Sequence, residues 1–66
     1  MLVVYELYIN ENNEEDEINL FDCDSLKDAK YFFEYKLNTK TSIENLSKAT
    51  KTNRTINKKY KIYKIK

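Results

Sequence analysis

The sequence predicts a small α+β domain of order ββααβ, a three-stranded antiparallel sheet with two short helices on one face. Three observations carry that prediction. Residues 2–9 are almost all β-branched or aromatic, two Ser/Thr capping patterns precede apolar residues at helical spacing, and the last residues resume a β-rich alternation. At 66 residues the chain has room for one domain, residues 1–66, and one small core.

The first strand is Leu2-Val3-Val4-Tyr5-Glu6-Leu7-Tyr8-Ile9. Alternation puts Val3, Tyr5, Leu7 and Ile9 on one face and Leu2, Val4, Glu6 and Tyr8 on the other. Both faces carry apolar groups, which marks the strand as central. Asn10 to Glu17 holds five acids and three asparagines and reads as a solvated hairpin loop. Ile18-Asn19-Leu20-Phe21 resumes an extended pattern as the second strand.

Asp24-Ser25 opens the first helix, where Ser25 and Asp28 form a capping-box pattern. Leu26, Ala29, Phe33 and Leu37 make its apolar stripe, widened by Phe32. Asn38 to Lys40 is a turn. Thr41 with Glu44 is a second capping box, and Ile43, Leu46 and Ala49 supply a shorter stripe that ends near Thr50. Residues 50–58 read as a polar, basic loop or frayed helical end. Lys59 to Lys66 is the last strand, paired with the first, with a bulge as a way to accommodate its imperfect alternation.

The charges are sorted along the chain. Residues 1–39 carry ten acids and three lysines, while residues 40–66 carry nine basic residues and only Glu44, so a net +1 covers blocks of −7 and +8. A basic block this dense points to a polyanionic partner, most often nucleic acid.

Other classes of function find little support. The chain has no His for a Ser-His or Cys-His nucleophile and no Gly for a phosphate-cradling loop, so an enzyme is not expected. No cofactor is implied. Glu14-Glu15-Asp16-Glu17 lacks the spaced oxygens and turn glycine of a calcium loop, and no metal site is expected. Cys23 is the only cysteine, so no internal disulfide forms; its neighbours Asp22 and Asp24 raise its pKa and make it a packing residue. With no membrane-length apolar run, no export signal and a single free thiol, the expected compartment is the cytoplasm, or the host cytoplasm for a viral protein. A core of this size rarely supplies more than ~3–5 kcal/mol unaided, so self-association as a homodimer or docking on a partner is a natural supplement.

Two short helices joined by a turn, the second led by Thr41-Ser42, fit a helix-turn-helix. That motif places its second helix in the major groove of duplex DNA. Lys40, Thr41, Ser42, Asn45 and Lys48 become groove residues; Lys51, Arg54, Lys58 and Lys59 become phosphate contacts. The competing reading is a plain helical hairpin whose lysines only solvate the surface.

The segment from Phe21 through Asp24-Ser25-Leu26-Lys27-Asp28-Ala29 to Phe33 resembles the first helix of small DNA-binding modules attached to phage and intron-encoded homing endonucleases. Thr41-Ser42-Ile43 and Lys59-Tyr60-Lys61-Ile62-Tyr63 match later parts of those modules. The resemblance spans residues 17–63 and implies a phage or mobile-element DNA-binding protein with an accessory or regulatory role. The chain departs from the pattern in lacking the glycine after the first helix and in having a longer link there.

A rival function belongs to the acidic block. Glu11, Glu14, Glu15, Asp16 and Glu17 imitate a phosphate array, and with Tyr8 and Tyr63 they form an alternative surface for a protein partner. On that reading the chain is a phage-encoded inhibitor of a host nucleic-acid-handling protein, such as a CRISPR-type defence nuclease or a replication or transcription factor. The tyrosines allow three roles. Tyr8 with Tyr63 or Tyr60 on an open sheet face suits base stacking, a protein interface, or simple coverage of a thin sheet.

Overall fold

The computed structural model describes residues 1–65. Its elements run β1 (Leu2–Ile9), β2 (Glu15–Cys23), α1 (Leu26–Tyr35), α2 (Ile43–Thr52) and β3 (Tyr60–Lys64). The sheet order is β2-β1-β3 with both pairings antiparallel. This is the ββααβ arrangement that the residue pattern predicts, with β1 central.

Both helices pack on one face. Leu2 and Val4 of β1 and Tyr60 and Ile62 of β3 meet Ala29 and Phe33 of α1 and Leu46 and Ala49 of α2, with Ile56 closing the cluster. Phe33, Leu46, Ile62 and Val4 are the largest fully buried side chains. Phe33 meets the Tyr60 ring edge-on at 5.6 Å, and Phe32 stacks on Phe21 at 4.3 Å. Burying an aliphatic or Phe side chain of this kind contributes ~1.5–3 kcal/mol.

The local chemistry explains several boundaries that the sequence pattern misplaces. β2 starts at Glu15 rather than Ile18, because Tyr8 pairs with Asp16 and Ile9 with Glu15. The hairpin loop is therefore only Asn10–Glu14. The Asn10 side-chain oxygen closes it by accepting from the Asn12 and Glu14 N–H groups. The irregularity lies in β2, not in the last strand. Val4 pairs with Phe21 and Tyr5 with Asn19, which leaves Leu20 as the extra residue of a bulge.

Ser25 caps α1, its hydroxyl accepting from Asp28 N–H at 3.1 Å. Leu37 lies beyond the helix but still packs on the core. At α2 the cap is Ser42 rather than Thr41: Ser42 Oγ accepts from Asn45 N–H at 3.0 Å. Shifting the cap rotates Ile43 outward, and it is 44 % exposed instead of joining the stripe. α2 also runs to Thr52 and ends in a Schellman turn, with Asn53 left-handed at φ 57° and Arg54 N–H donating to Ala49 C=O. The last strand is Tyr60–Lys64, shorter than the predicted Lys59–Lys66, of which Lys66 lies outside the described residues.

The chain has no glycine, and every positive-φ position among the described residues shows how it manages. Asn13, Asn38, Asn53 and Asn57 take four of the five, and Lys58 the fifth at φ 57°. Asparagine tolerates the left-handed region because its short side chain bonds locally. Asn57 and Lys58 form the tight turn that returns Ile56 to pair with Tyr60.

Candidate nucleic-acid interface

The strand order decides how the two charge blocks meet. β1 separates acidic β2 from basic β3, so the blocks occupy opposite edges of the sheet instead of lying side by side. Among the described residues one side-chain hydrogen bond joins β2 to β3: Tyr63 Oη donates to Glu17 Oε1 at 2.7 Å.

The basic residues form a stripe along α2 and its flanks. At one end a polar cavity of about 330 Å³ is lined by Asn38, Thr39, Lys40, Asn45, Ile56 and Asn57. It brings Lys40 and Asn45 beside the 56–59 turn, whose next residues are Lys58 and Lys59. On another side of the helix a largely apolar cavity of about 320 Å³ has Lys51 and Lys64 on its walls together with Asp24, Met1, Leu2 and Leu26, so an acid of the first half shares it with two lysines of the second. Lys48 lies on α2, a ten-residue helix about 15 Å long, and Arg54 follows its C-cap Asn53.

Side by side, the predicted groove residues and phosphate contacts differ in how free they are. Lys40, Lys51, Arg54, Lys58 and Lys59 are exposed and make no ion pair among the described residues. Lys48 is paired with Glu44 at 3.4 Å across one helical turn. Lys59 Nζ lies 5.9 Å from the centre of the Tyr60 ring. The Thr41, Ser42 and Asn45 side chains are engaged with each other and with the helix start: Asn45 Nδ2 donates to Thr41 Oγ1 at 2.9 Å, and Ser42 Oγ holds Asn45 N–H. The outward face of α2 thus presents Glu44, Lys48 and Lys51. Seven residues, Lys36 to Ser42, separate the helices, because α1 unwinds through Asn38, at φ 50°, and Thr39 N–H reaches back to Phe33 C=O. That link is longer than the predicted turn at 38–40.

Two residues of this region, Asn38 and Asn57, are absent from the predicted set. Their signal is available in a glycine-free chain, where asparagines outside helices are the natural left-handed positions.

The alternative partner surface divides. Glu11 and Glu14 are in the loop, while Glu15, Asp16 and Glu17 belong to β2. Alternation places Glu15 and Glu17 on the face away from the helices and Asp16 on the other. Tyr8 and Tyr63 do not share a face as expected. Tyr8 follows Leu2 and Val4, and its hydroxyl donates to Asp16 Oδ2 at 3.1 Å. Tyr63 lies on the open face, 5.3 Å from Tyr5 in an edge-on pair. Tyr60 is 6 % exposed and belongs to the core. The Tyr63 phenol is pushed up to about 12, first by burial and then by its bond to Glu17. The Tyr8 phenol is also raised, chiefly by its bond to Asp16.

No protein-family model, curated protein or solved structure matches the chain. No helix among the described residues is long and apolar enough to cross a membrane.

Proposed function

We propose that the chain is a small nucleic-acid-binding protein, accessory or regulatory in role, which grips the phosphates of duplex DNA along its helix-turn-helix-like pair. The observation that supports this reading is that Lys40, Arg54, Lys58 and Lys59, beside the second helix, are exposed and make no ion pair among the described residues. The Asn45 side chain bonds that of Thr41, the Ser42 hydroxyl accepts from the Asn45 backbone N–H, and Glu44 pairs with Lys48. Contacts to the phosphate backbone therefore outweigh reading of base edges.

A gel-shift titration on mixed duplex DNA tests it. Five phosphate contacts, from Lys40, Lys51, Arg54, Lys58 and Lys59, give a slope of log affinity against log salt of about −4.5. Substituting Lys48, Lys51 and Arg54 by Glu abolishes the shift. The absence of any shift at low salt would sink the reading.

A second reading has its own observation. β2 lines Glu15 and Glu17 on one face of an edge strand, spaced by two residues, as a carboxylate row suited to the basic groove of a nucleic-acid-handling protein. In a pull-down from host lysate treated with nuclease, that reading expects a retained protein partner that Glu14→Lys, Glu15→Lys and Glu17→Lys together release.

A further inference from the structure

The sheet has one face that no helix covers, although the Tyr63–Glu17 bond crosses part of it. The helices occupy the side of Leu2, Val4, Tyr60 and Ile62, whereas Val3, Tyr5, Leu7 and Ile9 form a column down the middle of the other. Val3 is buried at 2 % beneath its neighbours on that face, yet Ile9 is 63 % exposed. To one side of the column stand Glu15, Glu17 and Asn19 of β2; to the other stand Lys61 and Tyr63 of β3.

The edges of the sheet are blunted along part of their length. Along β2 the Asp16 carboxylate accepts from the Glu17 N–H at 2.8 Å, Asn19 bonds Asp22, and the Leu20 bulge breaks the line. On β3 the outward N–H and C=O of Tyr60 are taken by Ile56. Charges, bulges and bridges of this kind keep an edge from adding a strand.

We infer that the open face is the interface of a homodimer in which two sheets pack face to face about a two-fold axis parallel to β1. The occupant follows from the charge layout. A two-fold along the strands exchanges left and right and keeps height, so Lys61, level with Tyr5, faces Asn19 of the other copy and reaches Glu17, level with Leu7, along the diagonal. A two-fold across the strands would instead set Glu15 and Glu17 against their own copies. Only the first pairs opposite charges on both flanks while Leu7 and Ile9 meet their counterparts between them. Aligned sheet packing tolerates this geometry, with inner side chains interdigitating across ~10 Å, and a closed two-fold is the commonest symmetry. The arrangement leaves α2 and the 53–58 segment of both copies on the outer surfaces, and it stands whether or not they bind nucleic acid.

Sedimentation equilibrium without nucleic acid tests it. The wild-type chain sediments at twice its 8.0 kDa, and Ile9→Asp, at a position already largely solvated and hence compatible with folding, weakens the dimer roughly tenfold to a hundredfold. Glu17→Lys and Lys61→Glu each weaken self-association when alone, and an equimolar mixture of the two restores a dimer, because each flank then pairs opposite charges. Circular dichroism confirms that every variant retains its fold. A wild-type chain that stays at 8.0 kDa at all concentrations overturns the inference. So does a dimer indifferent to Ile9→Asp, or a mixture of the charge variants that associates no better than either alone.

Discussion

The Tyr63 hydroxyl donates to the Glu17 carboxylate at 2.7 Å, crossing the central strand to join residues 46 positions apart. Among the described residues it is the one side-chain hydrogen bond that ties the acidic strand to the basic one. The phenol must stay protonated to donate, and both its burial and the carboxylate oppose its ionisation. In the unfolded chain it loses its proton near the ordinary 10.0; in the fold it keeps it to about 12. Between those values the unfolded chain binds fewer protons than the folded one, so stability falls as pH rises. Below pH 10 the contribution is complete. Absorbance titration of the six tyrosines therefore shows a lagging component that disappears in Tyr63→Phe. Urea melts of the same variant lose part of the wild-type decline in stability across that window.

Lys58 offers a test of the glycine-free turn. Its φ of 57° follows that of Asn57 at 54°, so two consecutive residues are left-handed and only the first is a type that tolerates it well. A non-glycine residue there costs ~1–2 kcal/mol. Lys58→Gly is expected to stabilise the fold by on the order of 1 kcal/mol, raising the melting temperature by about 4–8 °C, while removing one cation from the proposed phosphate stripe. Calorimetry and the gel shift thus move in opposite directions for this one variant. A melting temperature that falls refutes the strain argument.

Element type and order were legible because apolar period and cap chemistry agree through most of the chain. The β-branched run of residues 2–9 and the stripe of Leu26, Ala29 and Phe33 each admit one reading. Boundaries were harder where pairing overrides composition. Glu15, Asp16 and Glu17 have poor strand propensity, yet they extend β2 because Leu7, Tyr8 and Ile9 of the neighbouring strand need partners. Alternation places Tyr8 with Leu2 and Val4, as observed, but the expected alignment of Tyr8 with Tyr63 on the open face does not hold, because the register sends Tyr63 to the side of Val3 and Tyr5. The candidate basic residues were legible as a list. Their arrangement as a stripe with a polar cavity at one end depends on the return of Ile56 to Tyr60, which no local pattern in residues 50–58 announces.

The second helix separates two neighbouring hydroxyls by role. Ser42 Oγ accepts a backbone N–H that has no partner within the helix, whereas Thr41 Oγ1 accepts only from the Asn45 side chain. Loss of an N-cap hydroxyl costs ~1 kcal/mol. Ser42→Ala is accordingly expected to destabilise the chain by about that amount, with Thr41→Ala costing a few tenths of a kcal/mol by comparison. Denaturant melts of the pair distinguish them, and equal effects would assign the cap to both residues.

Cys23 closes β2 where the chain turns into α1. Its thiol donates to Ser25 C=O at 3.4 Å, and burial raises its pKa ahead of any effect of Asp22, Asp24 or Asp28. After burial, a backbone hydrogen bond at Ser25 acts in the opposite direction, and Asp28, Asp24 and Asp22 then add to the rise. Because the thiolate is the nucleophile, a disulfide reagent at neutral pH should modify the folded chain much more slowly than the urea-unfolded one. The difference should persist at high salt, since burial, unlike the field of solvent-exposed carboxylates, is not screened. A reaction rate that rises steeply with salt would show instead that the aspartates govern the thiol, and would move the cause from the strand-to-helix packing to the acidic surface around it.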